Sequence, residues 1–428
     1  MSPLQFLSPL LLAFEPLFLG TIMFKYFSFS NMAAGFVAVL VGFTSSAVLV
    51  FQAAATSGAT PAETSSWLFA LGMSMAITCI GLSLRYRVPV LIGWSTPGAA
   101  LLVTSLSGVS MPEAIGAFLF SAFLTILVGI TGFFEKTIEH IPRSLTSAML
   151  AGILIHFGMN IFIAMQHQLL LIGAMLMTYL LGKRAFPRYV IIIVLLVGIL
   201  IAELQGLFKL DHFQFGVTTP IFTFPKFSLS TIFSVSIPLF IVTMTSQNIP
   251  GVAVLNASGY HPPISKIISF TGLINFLLAP FGSYSICLAA LTGAICTSKE
   301  ADINPANRYK ATIFAGICWF LIGLFGATIV TVFFAFPQEI ILAIAGLALL
   351  STIGNSLKIA LEEDSEREAA LITILVSASG ISFFGIGAAF WGLIAGVIAS
   401  LVLNYRKTVV KAPDRNVILN DVKDPQTT

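Results

Sequence analysis

From residue 32 to residue 404 the chain is a succession of apolar segments separated by short polar loops, and two of those segments are broken in the middle. Val88 to Leu102, VPVLIGWSTPGAALL, carries Pro89, Gly93, Pro97 and Gly98 inside an apolar run, where a continuous helix tolerates them poorly. It reads better as two pieces: an extended PVLIGW, then a helix with Thr96 as N-cap and Pro97 at the first helical position. Lipid allows such a break only where protein or a water-filled cavity satisfies the freed backbone groups. The break therefore predicts a site. Ala279 to Leu291, APFGSYSICLAAL, repeats the make-up, with Pro and Gly, then hydroxyl residues, then small residues. Paired interrupted segments in the two halves of a membrane protein point to a transporter binding site.

The remaining segments predict an all-α polytopic membrane protein. With 57% hydrophobic and 9% charged residues over 428 positions, a soluble fold could not hide the apolar surface. Hydropathy places spans near 32–55, 63–84, 88–105, 111–132, 144–165, 166–184 and 188–207. A polar, aromatic stretch follows to about 230. Further spans lie near 231–256, 264–281, 283–299, 308–333, 337–357, 366–382 and 385–404, giving fourteen as seven plus seven. The third span is long enough if six residues are extended at roughly 3.3 Å each and the rest helical at roughly 1.5 Å. Residues 1–31, broken by Pro3, Pro9 and Pro16 and carrying Glu15, read as an apolar leader lying at the interface. Cys79, Cys287, Cys296 and Cys318 fall in apolar segments and read as small buried hydrophobes.

Charge placement tests the count. With the segment before residue 32 cytoplasmic, the inside loops carry Arg85, Arg87, Lys136, Arg143, Lys183, Arg184, Arg188, Lys266, Lys299, Arg308, Lys310, Lys358 and Arg367. The tail, 405–428, adds five more and is expected to be cytoplasmic. Of the 21 lysines and arginines only Lys25, Lys209 and Lys226 fall elsewhere, the asymmetry the positive-inside rule requires. Seven spans per half is odd, so a duplicated second half must lie upside down. Residues 43–61 align without gaps on 244–262, matching Thr44 with Thr245, Ser45 with Ser246, Ser57 with Ser258, Gly58 with Gly259 and Pro61 with Pro262.

A guest held between two opposed helix N-termini meets about half a positive charge from each, together with unpaired N–H groups. The favoured guest is an anion, and a carboxylate fits. Trp94 and Tyr284 flank the expected helix starts and offer flat apolar faces. Ser95, Thr96, Ser283 and Ser285 either donate to the anion or cap their own helices. Gln247 and Asn248, adjacent amides followed by Pro250 and Gly251, serve either interhelical hydrogen bonding or recognition. No Asp or Glu falls near an expected midplane, so a proton relay cannot rest on a buried carboxylate. His156, the one histidine well inside a span, either titrates or is held structurally. There is no catalytic constellation, phosphate-binding loop or metal cluster, which argues against an enzyme.

At AGFVAVLVGFTSS, GWSTPGAALL, TSQNIPGVAVLNASGY and PFGSYSICLAALTGAIC the sequence resembles the benzoate:proton symporter family (BenE-type) of bacterial inner membranes, over about residues 32 to 404. The resemblance implies a fold similar to the nucleobase–ascorbate (uracil) transporters, two inverted seven-span repeats. It implies a core domain (32–132 and 231–333) and a gate domain (144–207 and 337–404), with short strands before half-helices in spans 3 and 10. Carried over, the substrate-binding positions are Trp94, Ser95, Thr96, Gln247, Asn248, Ser283, Tyr284 and Ser285. The uracil transporters place glutamates in spans 8 and 10; here Gln247 and the Tyr284 region stand instead, which suits an anionic aromatic acid. The expected activity is proton-coupled uptake of benzoate or a related aromatic carboxylate, the proton moving on the substrate or on His156. The expected partners are the substrate, the proton and the bilayer, with a homodimer left open and neither cofactor nor nucleic acid. Rival readings are the same fold carrying sulfate, bicarbonate or a nucleobase, or a non-transporting membrane scaffold.

Overall fold

The computed structural model describes residues 26–132, 142–187, 189–207, 215–383 and 386–404. The leader with Glu15 and the tail lie outside the described residues. In chain order the elements are α1 (Phe29–Thr56), α2 (Pro61–Tyr86), β1 (Ile92–Trp94), α3 (Thr96–Ser105), α4 (Met111–Thr131), α5 (Arg143–His167), α6 (Leu169–Ala185) and α7 (Val190–Leu204). Then come α8 (Leu229–Ala257), α9 (Ile264–Leu278), β2 (Ile286–Leu288), α10 (Leu291–Thr297), α11 (Tyr309–Leu324) and α12 (Gly326–Ala335). The chain ends in α13 (Gln338–Ala360), α14 (Arg367–Ala378), a two-residue hairpin and α15 (Ala388–Asn404). Seven of these helices are long and apolar enough to cross a membrane, and α11 with α12, bent by 67° at their junction, makes an eighth. The span expected at 308–333 is thus two helices, broken at Phe325 beside Gly326.

Local signals set the helix ends. Ser28 caps α1 and Thr60 caps α2, each in a reciprocal box with the residue three on, Asn31 and Glu63, and Pro61 sits where its missing N–H costs nothing. Arg87 closes α2 in the left-handed region at φ 53°, and the chain turns at once into the extended stretch before β1. Helix α8 is not regular: residues 232–236 and 244–248 form π-helical turns, and the second contains both Gln247 and Asn248. Such turns recur at functional positions because they rotate the side chains that follow.

Small residues bring the helices together. Helices α1 and α2 pack on α11, and α4 packs on α9; α5, α13, α14 and α15 pack on one another with α6 and α7 alongside. At Gly72 an added Cβ would lie 2.7 Å from the Trp319 carbonyl oxygen and 2.8 Å from Gly323 Cα, so α2 and α11 touch backbone to backbone. Interfaces of this kind replace the hydrophobic drive that lipid does not supply. Three of the four cysteines are buried and Cys318 is half-buried.

Candidate functional site

The two broken segments meet. Strands β1 and β2 pair antiparallel with Ile92 opposite Leu288, Gly93 opposite Cys287 and Trp94 opposite Ile286. The ladder extends at both ends through Ser95 N–H to the Ser285 carbonyl and Ala289 N–H to the Leu91 carbonyl, each 3.0 Å. Backbone groups that an interrupted span would expose are thereby satisfied by the other half of the chain, as an apolar surrounding demands. The Cys79 thiol adds to this, accepting from Ile92 N–H at 3.1 Å.

Two expectations about the helix starts need correction. The cap of α3 is Ser95, whose Oγ accepts from Gly98 N–H at 3.1 Å, which puts Thr96 and Pro97 in the first turn. With Gly98 held by Ser95 and Pro97 lacking an N–H, this end has the Thr96 N–H and hydroxyl left to offer. In the second half, helix α10 begins at Leu291 after Ala290, not near Ser283. Gly282, at φ 106°, turns the chain so that Ser283 to Ser285 lead into β2 instead. Tyr284 therefore stands at a strand, not at a helix start.

Most of the hydroxyl residues join a buried network. Ser283 Oγ donates to Asn275 Oδ1 at 2.7 Å and lies 3.0 Å from Ser74 Oγ. Thr243 Oγ1 donates to Ser95 Oγ at 2.8 Å and lies 3.1 Å from Ser285 Oγ. The Tyr284 hydroxyl donates to the Ser95 carbonyl at 3.1 Å, and the residue is wholly buried. Asn248 Oδ1 accepts from Leu288 N–H at 2.9 Å, tying α8 to the edge of β2. Ser95, Asn248, Ser283, Tyr284 and Ser285 thus hold the strands and half-helices together, and none of the five lines a described cavity.

Trp94, Thr96 and Gln247 do. They line a pocket of about 180 Å³ between α1, the β1–α3 unit, the β2–α10 connection, α11 and α13. The Trp94 and Trp319 rings form one wall, centroids 5.0 Å apart and inclined at 56°. Trp94 Nε1 donates to Ser46 Oγ at 2.7 Å, and that hydroxyl in turn donates to the Gly42 carbonyl. This volume lies below the roughly 300–1,000 Å³ of drug-sized ligand sites and suits one small ring. Pro97, Gln247, Ala290 and Thr352 are shared with a second cavity of about 820 Å³, which runs out between α5, α6, α8 and α13 to Arg143 and Lys183. Lys183 Nζ donates to Ser351 Oγ at 2.9 Å and sits 6.0 Å from the Tyr179 ring centre. No Asp or Glu lines either cavity among the described residues.

His156 stands apart. Its Nε2 lies 2.6 Å from the Ala378 carbonyl oxygen, so that nitrogen carries the hydrogen and donates, and the residue lines neither cavity. Sequence reasoning missed Trp319 and Thr352. A tryptophan in an apolar span reads as packing, and nothing in its neighbours marks it otherwise.

A helical membrane body in which two strand-and-half-helix units cross at a small aromatic pocket defines a membrane transporter. The chain belongs to the benzoate membrane transport protein family, BenE, whose family model matches residues 25–402. This is a family of transporters rather than enzymes. It is 48% identical to the inner membrane protein YdcO of Escherichia coli over 87% of this chain and 96% of that protein. It is 38% identical to the benzoate membrane transport protein of Acinetobacter baylyi, over 88% of this chain and 95% of that one. Among solved structures, the transmembrane domain of the cyanobacterial bicarbonate transporter BicA matches with TM-score 0.59 and 13% identity, over 86% of this chain and 97% of that one. SLC26A9 matches with TM-score 0.57 and 15% identity, over 90% of this chain and 66% of that one. Both likenesses establish the fold.

Proposed function

We propose that the chain carries benzoate or a closely related aromatic carboxylate across the inner membrane together with a proton. The observation that carries this reading is the lining of the joined cavities: two indoles, Thr96 and Gln247 at the inner end, Arg143 and Lys183 at the outer end, and no described carboxylate between. A fixed carboxylate would repel an anionic guest; the amino end of α3 attracts its charge, and the ring wall packs against its apolar ring. The name of the Acinetobacter relative supports the substrate. The carboxylate faces Thr96 and Gln247, with the ring against Trp94 and Trp319.

The fourteen segments form two inverted repeats in this reading, and the antiparallel pairing of one strand from each half supports it. The core then comprises α1 to α4 with α8 to α12, and the gate α5 to α7 with α13 to α15, one moving against the other to alternate access. Positive-inside placement makes the Arg143 and Lys183 end, and the C-terminus, cytoplasmic. Neutralising both cations as Arg143→Gln with Lys183→Gln should raise the half-saturating benzoate concentration on that face about threefold to tenfold at low salt, with the gap closing at high salt. Initial rates in inside-out vesicles across a salt series measure it.

Labelled benzoate uptake into proteoliposomes with an imposed pH gradient tests the whole reading. Accumulation that survives collapse of the gradient would remove the coupling, and no uptake would remove the substrate. His156 lines neither cavity, so in this reading it does not carry the proton. His156→Gln should then retain gradient-driven accumulation within about twofold, whereas a titrating relay would lose it.

A further inference from the structure

Trp319 and Trp94 wall the same pocket but differ in one respect. The Trp94 N–H is spent on Ser46. Trp319 is only 4% exposed, and its Nε1 is buried without a hydrogen-bond partner. Indole nitrogen is a donor only, and a buried donor left unmade is an expense that folded proteins seldom carry. It is the one unpartnered buried side-chain polar atom among the described residues that belongs to a pocket-lining side chain; the other two are Ser236 Oγ and Ser377 Oγ.

We infer that the Trp319 N–H donates to a carboxylate oxygen of the transported acid and helps select acids over ring compounds without an acceptor. The inference rests on the benzoate reading above and names a binding residue for it. Trp319 is mounted for this. Its backbone is fixed by the close contact with Gly72. On the other side, the edge of its ring lies 3.7 Å from where a Cβ on Gly42 would stand, so that glycine leaves space in the pocket lining beside the ring. Bound, the acid would meet two kinds of donor, the indole on α11 and Thr96 at the start of α3.

Removing an unpaired buried donor and removing a binding donor have opposite signatures, and Trp319→Phe separates them. Without substrate the variant should lose no more stability than the smaller ring costs in packing, since no internal hydrogen bond is lost. Its benzoate Kd should rise about tenfold or more, the size of a charge-assisted hydrogen bond. In the 15N-labelled parent protein, the indole resonance that Trp319→Phe deletes should move downfield on adding benzoate. Parent protein that binds benzoate while Trp319→Phe binds it equally well would overturn the inference. Parent protein that binds no benzoate would overturn the substrate reading instead; the same resonance is then followed with bicarbonate, and an unmoved signal with both anions overturns the role of Trp319. An indole signal that moves with both a carboxylate and ring compounds lacking an acceptor would also overturn it.

Discussion

Trp94→Ala should bind benzoate about a hundredfold more weakly or worse, the largest effect expected at the pocket. Three losses combine. The ring that faces Trp319 at 5.0 Å and Phe43 at 5.9 Å disappears. The hydrogen bond to Ser46 goes with it, leaving that hydroxyl bound to its own helix alone. The pocket also grows at the end where a small ring must fit, so the guest loses its wall on one side. Stability should fall by about 3–5 kcal/mol, the usual cost of removing a buried tryptophan. Trp94→Phe, which keeps a ring and loses the Ser46 bond, should recover most of that stability but only part of the affinity. Thermal melts with and without benzoate read both quantities. Equal benzoate-induced stabilisation in Trp94→Ala and the parent protein would show that the guest does not lie against this ring.

Gly72→Val should yield little or no folded protein, with a cost beyond about 4 kcal/mol. The atoms a side chain would strike are all backbone: the Trp319 carbonyl oxygen and the Cα and nitrogen of Gly323, each within 2.9 Å. No rotamer change can clear them, so α2 and α11 must separate. Gly72→Ala is the informative milder change. Overpacking of this size costs about 1–3 kcal/mol, and the displaced element carries Trp319, so transport should fall further than stability does. Surviving protein assayed for both fluorescence-detected melting and benzoate uptake decides the point. Unchanged melting would show that the two helices are not in backbone contact there.

The breaks themselves were legible in the sequence. Pro89, Gly93, Pro97 and Gly98 in one apolar run, and Pro280 and Gly282 in another, marked the two places where the chain leaves the helix and meets its counterpart. Finer placement was not legible, for identifiable reasons. Serine and threonine both cap helices, so the shift from Thr96 to Ser95 turns on geometry the letters do not hold. SYSICLAAL reads as a helix start because small residues follow the hydroxyls; the strand appears only because residues 92–94 offer a free edge far away in sequence. Gln247 and Asn248 are neighbours that separate, one lining the cavities and the other bonded to β2, because successive residues of a helical turn point in different directions. Asn248, Tyr284 and the three serines were visible as polar oddities in lipid, yet all five bind neighbouring side chains or backbone rather than open space.

The pairing of β1 with β2 also bears on how such a protein is made. The backbone groups of residues 91 to 95 find their partners in residues 285 to 289, which leave the ribosome long after them. Until then the first half would present an extended segment with unmet N–H and C=O groups to lipid, at several kcal/mol for each group. The segment holding β1 is therefore poorly suited to the bilayer core on its own. Its backbone is satisfied only when the segment holding β2 arrives. A fragment ending before residue 285 should accordingly be cleared by membrane proteases rather than accumulate as a half-transporter, which makes completeness of the chain a condition for its survival in the membrane.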